Sequence, residues 1–146
     1  MQQETAITAV GHAIQLSVAP VFLLSGIGAM LAVMTNRLAR IVDRGRVVGS
    51  RLQEAKGDEL AAWQGDLKTL TRRAKLINLS ITLCTITALF ICAVVATLFI
   101  AAFLRFEAPV LVAVLFIGAM MTFFAGLLCF LREIFMATAS LRIGPR

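Results

Sequence analysis

Charged residues along this chain are grouped so that three long stretches carry none. The uncharged stretches are residues 5–36, 76–104 and 108–131, which contain 32, 29 and 24 residues. A helix needs about 20 apolar residues to cross the hydrocarbon core of a bilayer. Each stretch is long enough to cross, so the pattern predicts three transmembrane helices. The predicted spans cover about residues 13–36, 77–104 and 108–131.

The polar segment between the first two spans, residues 37–76, has a helical pattern of its own. Apolar residues recur there at spacings of three and four, first over 38–52 and then over 60–77, as in the seam of a coiled coil. Between these runs, Gly57 is a helix stop and Asp58 an N-cap. The segment therefore predicts an antiparallel helical hairpin with arms about 27 Å long. We expect both arms to continue into the adjoining spans without a break.

Composition and charge fix the environment and the orientation that we expect. The chain is 60% hydrophobic with a mean hydropathy of +0.91. Ten of its fourteen Lys and Arg residues lie within 37–75, which is the positive-inside pattern of a cytoplasmic segment. The net charge of +6 therefore does not indicate nucleic-acid binding. The N-terminus is expected outside and the C-terminus in the cytoplasm, and the first span is expected to be an uncleaved anchor.

The predicted fold class is an all-α membrane protein with three transmembrane helices and a cytoplasmic helical hairpin between the first and second. Residues 1–146 are expected to form a single membrane domain. Pro20 should kink the first span because it removes the hydrogen bond to the Leu16 carbonyl, and Ser17 is expected to help satisfy that freed group. Pro109 should open the third helix, where a proline is tolerated.

Two of the spans carry a face of small residues. In lipid, helices associate through close packing of small residues and through polar side chains, because the lipid tails are as apolar as leucine. The pattern therefore marks helix contacts, either within the chain or between subunits, and leaves both alternatives open. The predicted packing residues are Ser25, Gly28 and Ala32 on the first span, and Gly118, Thr122 and Gly126 on the third.

The second span has small polar residues on two sides, which predicts a helix with neighbours in both directions. One side carries Asn78, Thr82 and Thr85, and these three are the candidate pore-lining residues. The other side carries Ser80, Cys84 and Thr87. Because hydroxyl groups on a helix can also bond to the carbonyl one turn back, helix packing explains this polarity more readily than pore lining does.

No pattern in the chain indicates a catalytic centre, so we expect a protein that is not an enzyme. Aspartate, glutamate, lysine and arginine are missing from the middle of the spans, where proton relays need them. His12 stands alone near the outer boundary, and the cysteines lie inside apolar spans with no partner at metal-ligand spacing. We expect no catalytic residues, no cofactor and no metal site.

Four runs of residues resemble a family. They are Val18-Ala-Pro-Val-Phe-Leu-Leu-Ser-Gly-Ile-Gly, Thr35-Asn-Arg-Leu-Ala-Arg-Ile-Val-Asp-Arg, Arg72-Arg-Ala-Lys-Leu-Ile-Asn and Leu131-Arg-Glu-Ile. The chain resembles the small bacterial membrane proteins known as domain of unknown function 2721. The resemblance implies a bacterial inner-membrane protein with a compact three-span domain, and it implies no activity. It directs attention to a cytoplasmic-boundary network that joins the first helix to Glu133 or to a neighbouring subunit. The network residues on the first helix are Asn36, Arg37, Arg40, Asp43 and Arg44.

Two functional classes follow, and a third is weaker. The first is a homo-oligomeric ion channel or pore with a basic cytoplasmic vestibule. The second is a non-transporting scaffold or regulator whose cytoplasmic hairpin docks a protein partner. The third is lipid organisation through the arginine-rich face of the first arm. The expected partners are membrane lipid, further copies of the chain and, for the second class, a protein at the hairpin.

Overall fold

The computed structural model describes residues 2–104 and 109–139, and these residues form three helices. Helix α1 is Gln2–Glu54, helix α2 is Asp58–Leu104 and helix α3 is Pro109–Ala139. Outside the described residues lie the side chain of Asp58, the predicted N-cap, the connection between the second and third predicted spans at 105–107, and the C-terminal residues 140–146, which are expected in the cytoplasm. Pro109 is the first described residue of α3, and its role in the first turn stays a prediction.

All three helices are long and apolar enough to cross a membrane. This confirms the prediction of a helical chain with three candidate spans, and the chain is a multi-pass membrane protein by the length and composition of its helices. Helix α1 runs without interruption past residue 36, where the first predicted span ends. Helix α2 likewise passes through Lys75 into the second predicted span. Both expected continuations are therefore confirmed.

The connection between α1 and α2 consists of residues 55–57 and depends on a glycine. Gly57 has a φ of 69°, which lies in the left-handed region that glycine adopts at little cost. The Ala55 N–H still donates to the Arg51 carbonyl at 3.0 Å, and the Leu60 N–H donates to the Gly57 carbonyl at 3.2 Å. Gly57 therefore separates the last turn of α1 from the first turn of α2, as its sequence position predicts.

The contacts of the chain group into two compact units, and each contains parts of all three helices. Unit 1 comprises Met1–Leu31 and Leu83–Phe124, and unit 2 comprises Ala32–Thr82 and Ala125–Arg146. Each unit has its own core and its own polar contacts among the described residues.

The core of unit 1 is built from positions seven residues apart. On α2, Cys84 and Ile91 are both completely buried, and on α1 the buried positions follow the same spacing. A hydrogen bond of 3.0 Å joins the Thr87 and Thr122 hydroxyls across α2 and α3. The buried residues of this unit include Ala13, Ser17, Pro20, Ile27, Cys84, Thr87, Ile91, Val94 and Ala119.

The core of unit 2 uses the same seven-residue spacing, which is the repeat of packed, supercoiled helices. Ile41 and Val48 of α1 and Leu70 and Ile77 of α2 are buried, and all four belong to the seams that the sequence pattern marks. Polar residues also occupy buried positions, among them Ser80. The buried residues of this unit include Met34, Ile41, Val48, Leu70, Ile77, Ser80, Gly126 and Glu133.

The expected role of Ser17 beside Pro20 is wrong. Pro20 lies inside α1 and is buried, but the Ser17 hydroxyl donates to the Ile14 carbonyl at 2.8 Å rather than to the Leu16 carbonyl. A serine hydroxyl on a helix reaches the carbonyl three or four residues earlier. The Leu16 carbonyl belongs to the residue directly before Ser17, so the geometry favours Ile14.

Replacing Gly57 with alanine should destabilise the connection between α1 and α2. An L-residue in the left-handed region costs about 1–2 kcal/mol, so Gly57→Ala should lower the free energy of unfolding by about that amount. Gly65→Ala is the matched control, because Gly65 lies inside α2 and an added Cβ would meet nothing within 4 Å. That change should be neutral or stabilising by up to about 1 kcal/mol. Thermal unfolding in detergent measures both, and equal stability of the two variants would contradict the assigned turn.

Candidate functional site

A buried carboxylate lies near the C-terminal end of α3. Glu133 is 0% exposed, and it follows the buried Gly126 by seven residues, so the helical repeat turns its side chain towards α1 and α2 of unit 2. A charged group without water is stable only where other charges and hydrogen bonds compensate for its lost hydration. The partners of Glu133 are therefore the first feature of the site to establish.

Arg73 of α2 provides the closer compensation. Its Nε donates to Glu133 Oε1 at 3.2 Å and its Nη2 donates to the same oxygen at 2.9 Å. The Arg73 side chain is 18% exposed, which leaves this ion pair largely shielded from water. Short hydrogen bonds between charged groups are about twice as strong as neutral ones. This contact therefore ties α2 to α3 within unit 2.

Arg37 of α1 approaches the other carboxylate oxygen. Its Nη1 lies 3.7 Å from Glu133 Oε2, and its side chain is 34% exposed. The distance suits electrostatic attraction but is too long for a hydrogen bond, and Oε2 has no hydrogen-bond partner among the described residues. The Arg37 guanidinium also lies 5.5 Å from the centre of the Phe130 ring, a favourable cation–π distance.

We call Arg37, Arg73 and Glu133 the boundary cluster. It brings one residue from each helix together around a single carboxylate, so two positive charges face one negative charge. The net positive charge is tolerated because Arg37 is partly exposed and the ring of Phe130 stabilises its cation. The cluster can lock the three helices at one level of unit 2.

The cluster overlaps in part with the boundary network predicted from the sequence. The structure brings Arg37 to Glu133, whereas the side chains of Asn36, Arg40, Asp43 and Arg44 are exposed. Arg73 was missed by the sequence analysis, although a signal for it exists. It falls between Leu70 and Ile77 at spacings of three and four, and so occupies the buried seam of α2.

The two polar sides of α2 have different surroundings. Ser80, Cys84 and Thr87 are 0% exposed, whereas Asn78, Thr82 and Thr85 are exposed. The Thr82 hydroxyl donates to the Asn78 carbonyl at 2.9 Å. Among the described residues, contacts therefore cover one of the two polar sides of α2, and the expectation of neighbours in both directions is not met within them. We call Asn78, Thr82 and Thr85 the polar face of α2.

The small residues of α3 pack inside the chain. A Cβ placed on Gly118 would lie 3.9 Å from the ring of Phe90. Thr122 bonds with Thr87 at 3.0 Å, and in unit 2 Gly126 is buried. For these three residues the contact within the chain, one of the two open alternatives, is the one observed.

The small residues of α1 lie on the surface. Ser25, Gly28 and Ala32 are all exposed, and a Cβ added to Gly28 would meet nothing within 4 Å. The Ser25 hydroxyl donates to the Val21 carbonyl of its own helix at 3.4 Å. We call Ser25, Gly28 and Ala32 the small-residue face of α1. No contact within residues 2–104 and 109–139 buries this face, and its contact with another subunit stays a prediction.

The residues with metal-binding or nucleophilic side chains are scattered. Within residues 2–104 and 109–139, no group of three or more His, Cys, Asp and Glu residues is placed to hold a metal ion. All three cysteines are free thiols, with Cys84 buried, Cys129 half-buried and Cys92 exposed. The chemistry that the described residues support is therefore ion pairing at the boundary cluster and polar contact along α2.

Three long apolar helices and a shielded ion cluster define a helical multi-pass membrane protein. Residues 17–143 match the model of the family described as protein of unknown function, DUF2721. The match covers most of the chain, and the chain belongs to that family, as the resemblance of its sequence runs indicates. No curated protein and no solved structure matches the chain.

Removing Arg73 should destabilise the protein more than removing Arg37. Arg73→Gln leaves a buried carboxylate without its hydrogen bonds and should cost about 3–5 kcal/mol. Arg37→Gln should cost about 1 kcal/mol or less, because that contact is longer and more exposed to water. The exposed Arg40→Gln is the control and should be close to neutral. Unfolding in a denaturing detergent such as SDS measures all three.

A double-mutant cycle separates the ion pair from general packing. Arg73→Gln combined with Glu133→Gln should be less destabilised than Arg73→Gln alone, because no unpaired charge remains buried. Additive effects of the two substitutions would contradict the assigned pairing.

Proposed function

We propose that the protein is the subunit of a homo-oligomeric membrane pore that conducts ions, with the polar face of α2 lining the passage. The exposure of this face carries the proposal. Asn78, Thr82 and Thr85 are exposed on a helix that is apolar enough to span a membrane. Polar side chains within a membrane usually face a bundle interior or a water-filled cavity. A passage between subunits would provide that environment.

The packing inside the chain supports a passage between copies rather than through one copy. In unit 1, Cys84, Ile91 and Val94 of α2 are 0–2% exposed, so the described interior of this unit is filled by side chains. In unit 2, Ile77 and Met34 are likewise fully buried. Packed interiors of this kind leave no continuous path for an ion. Conduction therefore requires an assembly of several chains.

The small-residue face of α1 supports self-association. Small side chains let two helices approach closely in lipid, where packing and hydrogen bonds drive association. Ser25, Gly28 and Ala32 are exposed on the single chain, and the space around Gly28 is open. In the proposed assembly this face contacts a neighbouring copy, which turns the polar face of α2 towards the common axis.

The distribution of positive charge supports an orientation. In the proposed arrangement the protein lies in a bacterial inner membrane with its N-terminus outside and residues 37–76 in the cytoplasm as an antiparallel helical hairpin. Near the connection, the Arg51 guanidinium lies 5.4 Å from the centre of the Trp63 ring. Farther from it, Arg37 and Arg73 share Glu133. These paired contacts fit two helices that run in opposite directions, with α2 rather than α1 lining a basic vestibule.

Blocking the polar face should abolish conduction. Thr82→Ile and Thr85→Ile replace hydroxyl groups with larger apolar side chains, which narrow and dewet a passage, so ion flux into liposomes that contain the purified protein should fall by about tenfold or more. Thr69→Ile is the matched control. Thr69 is exposed on the same helix and donates to the carbonyl four residues earlier, as Thr82 does, but it lies outside the uncharged stretch.

The number of subunits provides the second test of the pore. Native mass spectrometry of the protein in nanodiscs should show one discrete oligomer large enough to enclose an axis. A monomer or a dimer that passes no ions would contradict the pore and leave the scaffold as the better explanation.

A scaffold or regulator is the second candidate, and the contact between Arg51 and Trp63 favours it. This contact orders the end of the proposed hairpin, the part of the chain farthest from the apolar stretches, and so presents a defined surface to a protein partner. A cation–π contact near the surface contributes about 0.5–1 kcal/mol, and the Trp63 ring adds apolar packing to it.

Trp63→Ala should therefore loosen the hairpin and release a bound protein partner, whereas Trp63→Phe keeps a ring and should retain most binding. Thermal stability and recovery of the partner by affinity purification measure the two effects. Unchanged stability together with unchanged recovery for Trp63→Ala would count against the scaffold.

A further inference from the structure

A groove in unit 2 is lined by positively charged side chains. It lies along the N-terminal part of α2, before the apolar stretch of that helix. The groove has a volume of about 480 Å³, which is within the range of small-molecule sites. We call it the basic groove. Its described lining residues are Gln64, Leu67, Lys68, Thr71, Arg72 and Lys75.

We infer that the basic groove is an anion-attracting site at the cytoplasmic mouth, and that it makes the pore selective for small inorganic anions such as chloride. This inference rests on the proposed pore and names the class of ion that it carries. Lys68, Arg72 and Lys75 line the groove, and no acidic residue is among its described lining residues. Rings of lysine and arginine side chains are how pores favour anions.

The two neighbouring arginines of α2, Arg72 and Arg73, have different surroundings. Arg73 points inwards and is neutralised by Glu133, whereas Arg72 is exposed and lines the groove. Asp66 is exposed on the same helix but is not among the lining residues. At 100° of rotation per residue, it lies roughly opposite Lys68 and Lys75. The positive charge of the groove is therefore not cancelled on its own face.

The groove leads directly to the polar face of α2. Lys75 is the last charged residue before the uncharged stretch 76–104. At a rise of 1.5 Å per residue, Asn78 follows Lys75 by about 4.5 Å and Thr82 by about 10.5 Å along the axis. Lys75 and Thr82, seven residues apart, also lie on nearly the same side of the helix. An anion attracted to the groove would thus meet the side-chain amide of Asn78 next.

The size of the effect follows from Coulomb's law. A charge about 6 Å from a permeating ion changes its local concentration by about threefold in water, and at physiological salt the Debye length is about 8 Å. Each groove cation therefore acts at close range. The selectivity should weaken as salt is raised towards 1 M, where the Debye length falls to about 3 Å.

The test measures the reversal potential of the full-length protein in phosphatidylcholine bilayers under a potassium chloride gradient. The natural protein should favour chloride over potassium by at least about threefold. Lys68→Gln combined with Arg72→Gln and Lys75→Gln should move this ratio towards one while conduction persists. The charge-keeping triple variant, Lys68→Arg with Arg72→Lys and Lys75→Arg, should retain the selectivity.

The matched control removes the same charge elsewhere. Arg40→Gln, Arg44→Gln and Arg46→Gln together take three positive charges from exposed positions of α1, and none of these residues is among the lining residues of the groove. Selectivity should change by less than about a factor of two. An equal loss in the control and in the groove variant would overturn the inference, because a diffuse field would then explain the selectivity.

The remaining outcomes separate the inference from the pore itself. Conduction that favours potassium, or that ignores the groove substitutions, would overturn the inference and leave the pore standing. A protein that conducts nothing would overturn the pore, and the inference with it. The measurement is repeated with phosphatidylglycerol in the bilayer. Retained selectivity supports a groove open to the aqueous mouth, and its loss would assign the groove to lipid headgroups and overturn the inference.

Discussion

The carboxylate of Glu133 sets the strongest constraint on this protein, because a charge without exposed surface must have cations beside it. Arg73 meets that demand with two hydrogen bonds to one oxygen, and Arg37 attracts the other oxygen from a greater distance. The three residues come from three different helices. Any change in the register of one helix within unit 2 would separate the charges, so the cluster specifies the register more sharply than apolar packing does.

Polar contacts have this importance because the hydrophobic effect, which drives helices together in water, contributes little in lipid. Apolar side chains gain little by leaving lipid tails for a protein interior, so the buried Ile77 and Ile91 fill space without choosing a unique neighbour. The hydrogen bond between Thr87 and Thr122 is directional and aligns α2 with α3 in unit 1. Ser80 is buried with no hydrogen-bond partner for its hydroxyl among the described residues. Its small size suits the close approach of a helix.

The helices and their continuity could be predicted from the sequence, because long uncharged stretches and unbroken periodicity have few alternative structures. The buried seams of unit 2 could be predicted for the same reason. The buried side of α1 within its apolar stretch could not be predicted, because apolar residues occur on all sides of the helix there. Ser25, Gly28 and Ala32, which were predicted to pack, are exposed. Arg73 was missed because a charge in a basic segment is usually solvated, and only its spacing from Leu70 and Ile77 marks it as inward.

Burial that repeats every seven residues also constrains how these helices can change in length. Removing one residue rotates everything beyond it by about 100° relative to the part before it. A deletion between Leu70 and Ile77 would carry an apolar residue away from the core and bring an exposed neighbour into its place. Losing or gaining seven residues leaves every side chain pointing to nearly the same side of the helix as before. Homologues that differ in helix length should therefore have gained or lost whole heptads. Insertions and deletions of single residues should be found mainly in the connections between helices.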